Sequence, residues 1–189
     1  MNNIDNLNSS HFCTSCQMCA AVCPKNAISI HLDKEGFYRP SINEALCVDC
    51  GLCLKVCYKF DHEIKRTSSS ELENMPLYAV YAKDRGLLQS VTSGGVADLL
   101  AKQLIKDGFL CVGVDYDNEK DIAFHSTASS IRETDAFRGS KYIQSYSFSA
   151  FKELVNGCMN HRYAVFGTPC QIYAVDKYLN LRKTRDQFI

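Results

Sequence analysis

The sequence predicts an α+β module organised by cysteines, followed by an α/β segment. Three observations predict it. Eight of the eleven cysteines lie within the first 57 residues, in two runs of identical spacing. A polar stretch from 67 to 76, with Ser68-Ser69-Ser70 and Pro76, then breaks the pattern. Beyond it, apolar strand-like runs alternate with stretches of helical spacing, the signature of an α/β layer.

The first run is Cys13-x2-Cys16-x2-Cys19-x3-Cys23-Pro24, and the second is Cys47-x2-Cys50-x2-Cys53-x3-Cys57. Each cysteine recurs 34 positions on, so one binding unit is duplicated. Three cysteines two residues apart wrap a tight loop around a cubane, and the fourth enters a short helix pointing the other way, toward the other cluster. This logic gives a two-[4Fe–4S] ferredoxin-type module that passes single electrons. The first cluster takes Cys13, Cys16, Cys19 and Cys57, and the second takes Cys47, Cys50, Cys53 and Cys23. Paired Cys-x2-Cys motifs also make zinc sites, but zinc has no use for the third evenly spaced cysteine. A disulfide framework would suit a secreted chain. Met1 to His11 lacks the basic-then-apolar pattern of an export signal, which points to the cytosol and to metal. Tyr58 stands where the first run has Pro24.

Between the runs, Ala27 to Ile30 alternates as a strand, Asp33 to Gly36 reads as a turn, and Phe37 to Pro40 returns as a second strand. Phe12, Val22, Ile28, Val48, Leu54 and Val56 are candidates to sheath the clusters. A unit this small has little core of its own, so ligation should supply much of its folding free energy.

With 21 basic and 21 acidic residues the net charge is zero, which disfavours a nucleic-acid binder. No run of eighteen apolar residues is present, so no membrane span is expected. The division expected is 1–66 for the cluster module, 67–76 for a linker and 77–189 for the α/β part. Within the last, the pattern predicts a strand from Leu77 to Ala82, a helix from Gly95 to Lys106 and a strand from Phe109 to Val114. Ile122 to Ser126 follows as a strand. Ser130 to Glu133 reads as a capping box. A helix around Ser149 to Val155, a strand from Tyr163 to Phe166 and a helix from Cys170 to Leu179 complete the order.

Three loops sit at element junctions. Thr92-Ser93-Gly94-Gly95 opens a helix, where backbone N–H groups and the helix dipole favour an anion. Arg138-Gly139-Ser140-Lys141-Tyr142 joins cations, glycine and hydroxyls. In Gly167-Thr168-Pro169-Cys170-Gln171, Thr168 suits an N-cap and Pro169 the first helical position. Taken singly, each loop is a common helix start or turn, Arg138 and Lys141 are surface charges, and Cys170 is a structural thiol like Cys111 and Cys158. The five histidines form no ligand pair.

Taken together, these loops behind a two-cluster module resemble the coenzyme F-420 hydrogenase/dehydrogenase beta-subunit family. The resemblance is carried by Tyr78 through Gly95, by Gly139 to Ser145 and, most specifically, by Phe166 to Gln171. It implies an α/β segment like the N-terminal part of that family's catalytic domain. It also implies FAD beside the two clusters, and hydride exchange with coenzyme F-420 or another small hydride carrier. Ser93, Gly94, Gly95, Ser140 and Lys141 would lie near the flavin or its phosphates, and Thr168 and Cys170 near the isoalloxazine or a cluster. Family members are longer, so with 18 residues after Gln171 the α/β part reads as incomplete and flavin binding by this chain alone as weak. Two function classes follow. One is an iron–sulfur flavoprotein oxidoreductase or part of one. The other is a non-catalytic electron-transfer protein whose α/β segment docks a redox partner.

Overall fold

The computed structural model describes residues 2–4, 13–61 and 67–189. Each cysteine run closes into a loop that ends in one turn of helix, α1 (Met18–Ala21) and α2 (Leu52–Lys55). The residue before each helix is left-handed, Gln17 at φ 62° and Gly51 at φ 71°. Two αL residues per run, the others being Ser15 and Asp49, tighten the loop enough to aim successive thiols inward. Between the runs, β1 (Ile28–Leu32) and β2 (Tyr38–Ile42) form an antiparallel hairpin, with Ile28 opposite Ile42 and Leu32 opposite Tyr38. Its turn is held by Asp33, whose Oδ1 accepts from the N–H groups of Glu35 and Phe37, both at 2.9 Å. Gly36 supplies the positive φ that closes it.

The α/β part is built on a four-stranded mixed, curled sheet in the order β5-β4-β3-β6. Its strands are β3 (Phe109–Asp117), β4 (Ile122–Ala128), β5 (Ser145–Tyr146) and β6 (Arg162–Val165). β3 runs antiparallel to β4 and parallel to β6, and β5 is parallel to β4. The central position of β3 explains its unbroken apolar run from Phe109 to Val114. Helices α5 (Val96–Lys106), α6 (Phe148–Gly157) and α7 (Pro169–Arg182) accompany it. α7 begins as its sequence suggests, with a capping box of Thr168 and Gln171 and Pro169 in the first turn.

One core joins the two parts. Met18, Ala21, Val22 and Val56, from the cysteine loops, pack in the same cluster as Phe151 and Leu154 of α6, Tyr163 of β6 and Leu179 of α7. Phe151 and Leu154 are wholly buried, each stabilising by about 1.5–3 kcal/mol on area grounds. The small module thus borrows a core it is too small to build. Of the expected sheath, Val22, Ile28 and Val56 are buried and Leu54 is half-buried. Val48 is 58% exposed, because it sits on the outer loop of the second run. Phe12 lies outside the described residues.

Other differences from the sequence reading are local. The stretch 67–76 contains a short helix, α3 (Ser69–Glu73), started by a capping box between Ser68 and Glu71. Leu77 to Ala82 forms no strand: Leu77, Tyr78, Val80 and Tyr81 are exposed, and only Ala82 is buried, its N–H donating to the Gly94 carbonyl at 2.7 Å. A further helix, α4 (Arg85–Ser90), follows, capped by Asp84. The Ser130–Glu133 box opens a 3-10 helix, Glu133–Phe137. There Glu133 accepts from the amides of Ser129 and Ser130.

Candidate metal centre and adjoining cavity

The eight cysteines of the two runs divide between two cavities. One, of about 370 Å³, is lined by Cys13, Cys16, Cys19 and Cys57. The other, of about 20 Å³, is lined by Cys23, Cys47, Cys50 and Cys53. The fourth cysteine of each run therefore faces the cavity of the other run. The short helices α1 and α2 produce this exchange, since each starts at its loop and carries its last cysteine away from it. Backbone amides already point at two sulfurs, Ser15 N–H to Cys13 Sγ at 3.4 Å and Ala27 N–H to Cys23 Sγ at 3.3 Å.

The chemistry of the donors suits iron–sulfur clusters. Each cavity gathers three evenly spaced cysteines of one run and the last cysteine of the other, the ligand set of one cubane in a two-cluster module. In the larger cavity, the buried Ser15 hydroxyl has no hydrogen-bond partner and is free to donate to a group held there. Burial pushes the Cys16 thiol up to about 12, with the neighbouring sulfurs of Cys170, Cys57 and Cys13 adding to it. Burial likewise raises Cys19, Cys53 and Cys57. Thiols so hidden from water ionise only when a cation compensates the charge, so metal binding and proton release are coupled.

The two sites differ in their surroundings. At the first, Arg39 donates to the Cys13 carbonyl at 2.6 Å and to Asp33 at 2.8 Å, and Lys59 also lines the cavity. At the second, Cys50 is exposed and the Asp49 carboxylate stands 3.8 Å from Cys47 Sγ.

A third cavity, of about 530 Å³, lies in the α/β part. The three loops singled out in the sequence meet there: Ser93 and Gly95, Ser140 and Lys141, and Thr168 all line it. Two expected residues do not. Gly94 turns its backbone instead to the 80–81 stretch, where a Cβ would stand 2.6 Å from the Val80 carbonyl. Cys170 places its thiol 3.2 Å from Thr168 Oγ1. The cations are also engaged. Lys141 Nζ donates to the carbonyls of Ala136 at 3.0 Å and Arg138 at 2.7 Å, and burial pulls its pKa below the ordinary lysine value. Arg138 is paired with Asp98 at 2.8 Å and Asp135 at 2.9 Å. Burial opposes the charge of Asp98, but hydrogen bonds from Arg138 and Lys102 outweigh it and hold the carboxyl below the usual range. On one wall, Gly113 lies against Phe137, and a Cβ at 113 would approach the ring to 2.5 Å.

Sequence reasoning passed over two residues near this cavity. His125, buried in β4, pairs through Nδ1 with Ser145 Oγ at 3.1 Å, and burial lowers its pKa to about 4. Gln17 connects the first cysteine loop to β5 and α6. Its signal was in the duplication, where Gln17 takes the place that Gly51 has in the second run.

Comparison with known proteins bears on the N-terminal part. Residues 12–59 match the 4Fe-4S dicluster domain family. No curated protein matches the chain. The chain thus carries a ferredoxin-type 4Fe-4S dicluster domain at its N-terminus, joined to a mixed α/β region, and that domain suggests electron transfer. Among the described residues, no helix is long and apolar enough to cross a membrane.

Proposed function

We propose that the chain is the electron-carrying part of an iron–sulfur flavoprotein oxidoreductase. Cys13, Cys16, Cys19 and Cys57 hold one [4Fe–4S] cluster, and Cys23, Cys47, Cys50 and Cys53 hold the other. The observation that carries this reading is the division of the eight sulfurs into two crossed sets around two separate cavities. When bound, such clusters take up and release electrons one at a time. The chain's own residues give the relay a direction. The exposed second site, at Cys50, meets an external one-electron partner. The first site rests on the shared core through Met18 and Val56, and Gln17 of its loop bonds Ser145, which lines the 530 Å³ cavity.

That cavity falls within the usual range of about 300–1,000 Å³ for small-molecule sites. In this reading it holds the flavin, FAD. The amides at the start of α5 and the hydroxyls of Ser93 and Ser140 receive its phosphates. Thr168 lies toward the ring, with Cys170 behind it, and coenzyme F-420 or another hydride carrier is the substrate. A second reading is favoured by the engagement of Lys141 and Arg138 with protein oxygens, which leaves less positive charge for a phosphate. There the α/β part docks a redox partner and holds no flavin.

Anaerobic purification with iron, sulfide and flavin measured per chain separates these. About eight irons and eight sulfides are expected. Flavin retained, or bound on titration with FAD, supports the first reading, and Lys141→Ala should then weaken it. Full iron with no FAD binding, not even the weak binding expected of this chain alone, selects the second. A protein that takes zinc at full occupancy and no iron defeats both.

A further inference from the structure

We propose that Gln17 is a positioning residue whose carboxamide locks the first cluster loop to the wall of the α/β cavity. This rests on the reading that Cys13, Cys16, Cys19 and Cys57 hold a cluster. The two runs repeat their backbone as well as their cysteines. Gln17 has φ 62° and ψ 2°, and its counterpart Gly51 has φ 71° and ψ 5°. Glycine is the natural occupant of such a left-handed position, where a Cβ crowds the backbone. The second run has glycine, and the first keeps glutamine despite that cost.

The side chain explains its presence. Gln17 is 2% exposed. Its Oε1 accepts from the N–H groups of Ser147 and Phe148, both at 2.9 Å. These amides open α6, and Ser147 makes no side-chain cap of its own. Gln17 therefore caps a helix 130 residues away in sequence, satisfying donors that would otherwise be buried without partners. Its Nε2 donates to the Ser145 carbonyl at 3.1 Å. The Ser147 hydroxyl completes the ring by donating to the Cys16 carbonyl at 3.0 Å. Ser145 lines the α/β cavity and pairs with His125. A single buried amide thus ties the residue next to Cys16 to the strand that borders the cavity. Nothing comparable is built at Gly51, which has no side chain to do it.

The duplication supplies the clean variant. Gln17→Gly installs the residue that the same backbone uses 34 positions later, so the loop keeps its conformation and loses only the carboxamide. In the anaerobically reconstituted full chain, iron content should be unchanged. Amide hydrogen exchange at Ser147 and Phe148 should quicken by at least about tenfold. The midpoint potential and paramagnetic line shape of the first cluster should move while those of the second stay fixed. Ser147→Ala, which removes only the bond to Cys16, should move the first cluster's signal the same way by less. Unchanged exchange at both amides in Gln17→Gly would remove the clamp. Faster exchange with an unmoved first cluster would reduce Gln17 to a helix cap and overturn the positioning role. Wild-type protein that takes up no iron would instead refute the cluster reading, and the exchange result would still decide whether the clamp exists.

Discussion

The two cysteine sites share a spacing and a backbone, yet one is built into the protein and the other onto it. The first site lies over the common core, bordered by Met18 and Val56, and is tied to α6 by Gln17. The second is closed by its own loop, by Asn2 and Asn3 and by Ile28 and Ile42 of the hairpin, and packs on a smaller cluster of Ala20, Ile28 and Cys53, with Leu46, Val48 and Cys50 exposed. The difference teaches that a duplicated motif specifies the ligands twice but the environment only once. What distinguishes the copies is carried by the residues between the cysteines: Ser15 against Asp49, Gln17 against Gly51, Met18 against Leu52.

The strongest test removes one ligand from each site. Cys19→Ser should take iron from about eight to about four per chain and lower the thermal midpoint sharply, because the emptied site sits in the shared core. Cys50→Ser should cost the same iron and leave the core standing. Equal melting of the two variants would erase the contrast. Cys23→Ser sharpens it further, since it should disturb the second cluster's spectrum while the first persists; the reverse pattern would show that the crossed assignment is wrong.

Next in size is the core itself. Leu154→Ala, beneath α1, should destabilise the chain by about 2–5 kcal/mol. It should loosen the first cluster along with the sheet. A first-cluster spectrum that ignores Leu154→Ala would mean that the module stands alone.

The pH response of the α/β part should be moderate. His125 has a folded pKa near 4 against 6.5 for the free side chain, with burial as the cause. Between those values the unfolded chain carries the proton and the folded chain does not. Stability is therefore full above pH 6.5 and falls toward pH 4, by at most about 1.4 kcal/mol per pH unit. Denaturant titrations at pH 7.5 and 5.5 should show this loss in the wild type, and His125→Phe should flatten it. An identical slope in both proteins would place the titrating group elsewhere.

The smallest effect expected is on potential. Arg39→Gln removes a cation hydrogen-bonded beside Cys13. Because Asp33 pairs with that cation, it should lower the first cluster's midpoint by only something on the order of 10–40 mV and leave the second unmoved. A redox titration followed by electron paramagnetic resonance resolves the two.

The sequence made much of this legible and left the rest hidden for identifiable reasons. The cysteine spacing announced two sites because ligand geometry is local. The loops at Ser93, Ser140 and Thr168 were readable as helix starts or turns, and their meeting at one cavity is a matter of topology. The stretch from Leu77 to Ala82 looked like a strand because its residues favour one, but no described strand pairs with it and all its side chains but that of Ala82 stay exposed. Strand β5 is two residues long, below what any periodicity can register. The shared core escaped notice since Met18, Val22 and Val56 look in sequence like cover for the clusters alone. Lys141 looked like a phosphate ligand because nothing in sequence shows the carbonyls of Ala136 and Arg138 turning toward it.

The contact between Gly113 and Phe137 makes the α/β cavity adjustable by a single carbon atom. A methyl group at position 113 would meet the ring at 2.5 Å, so the ring would have to swing away or the strand to bow. Both residues line the cavity, and either response changes its bore. Position 113 thus acts as a gauge: the missing side chain is what lets the Phe137 ring and the central strand keep their present places on the cavity wall.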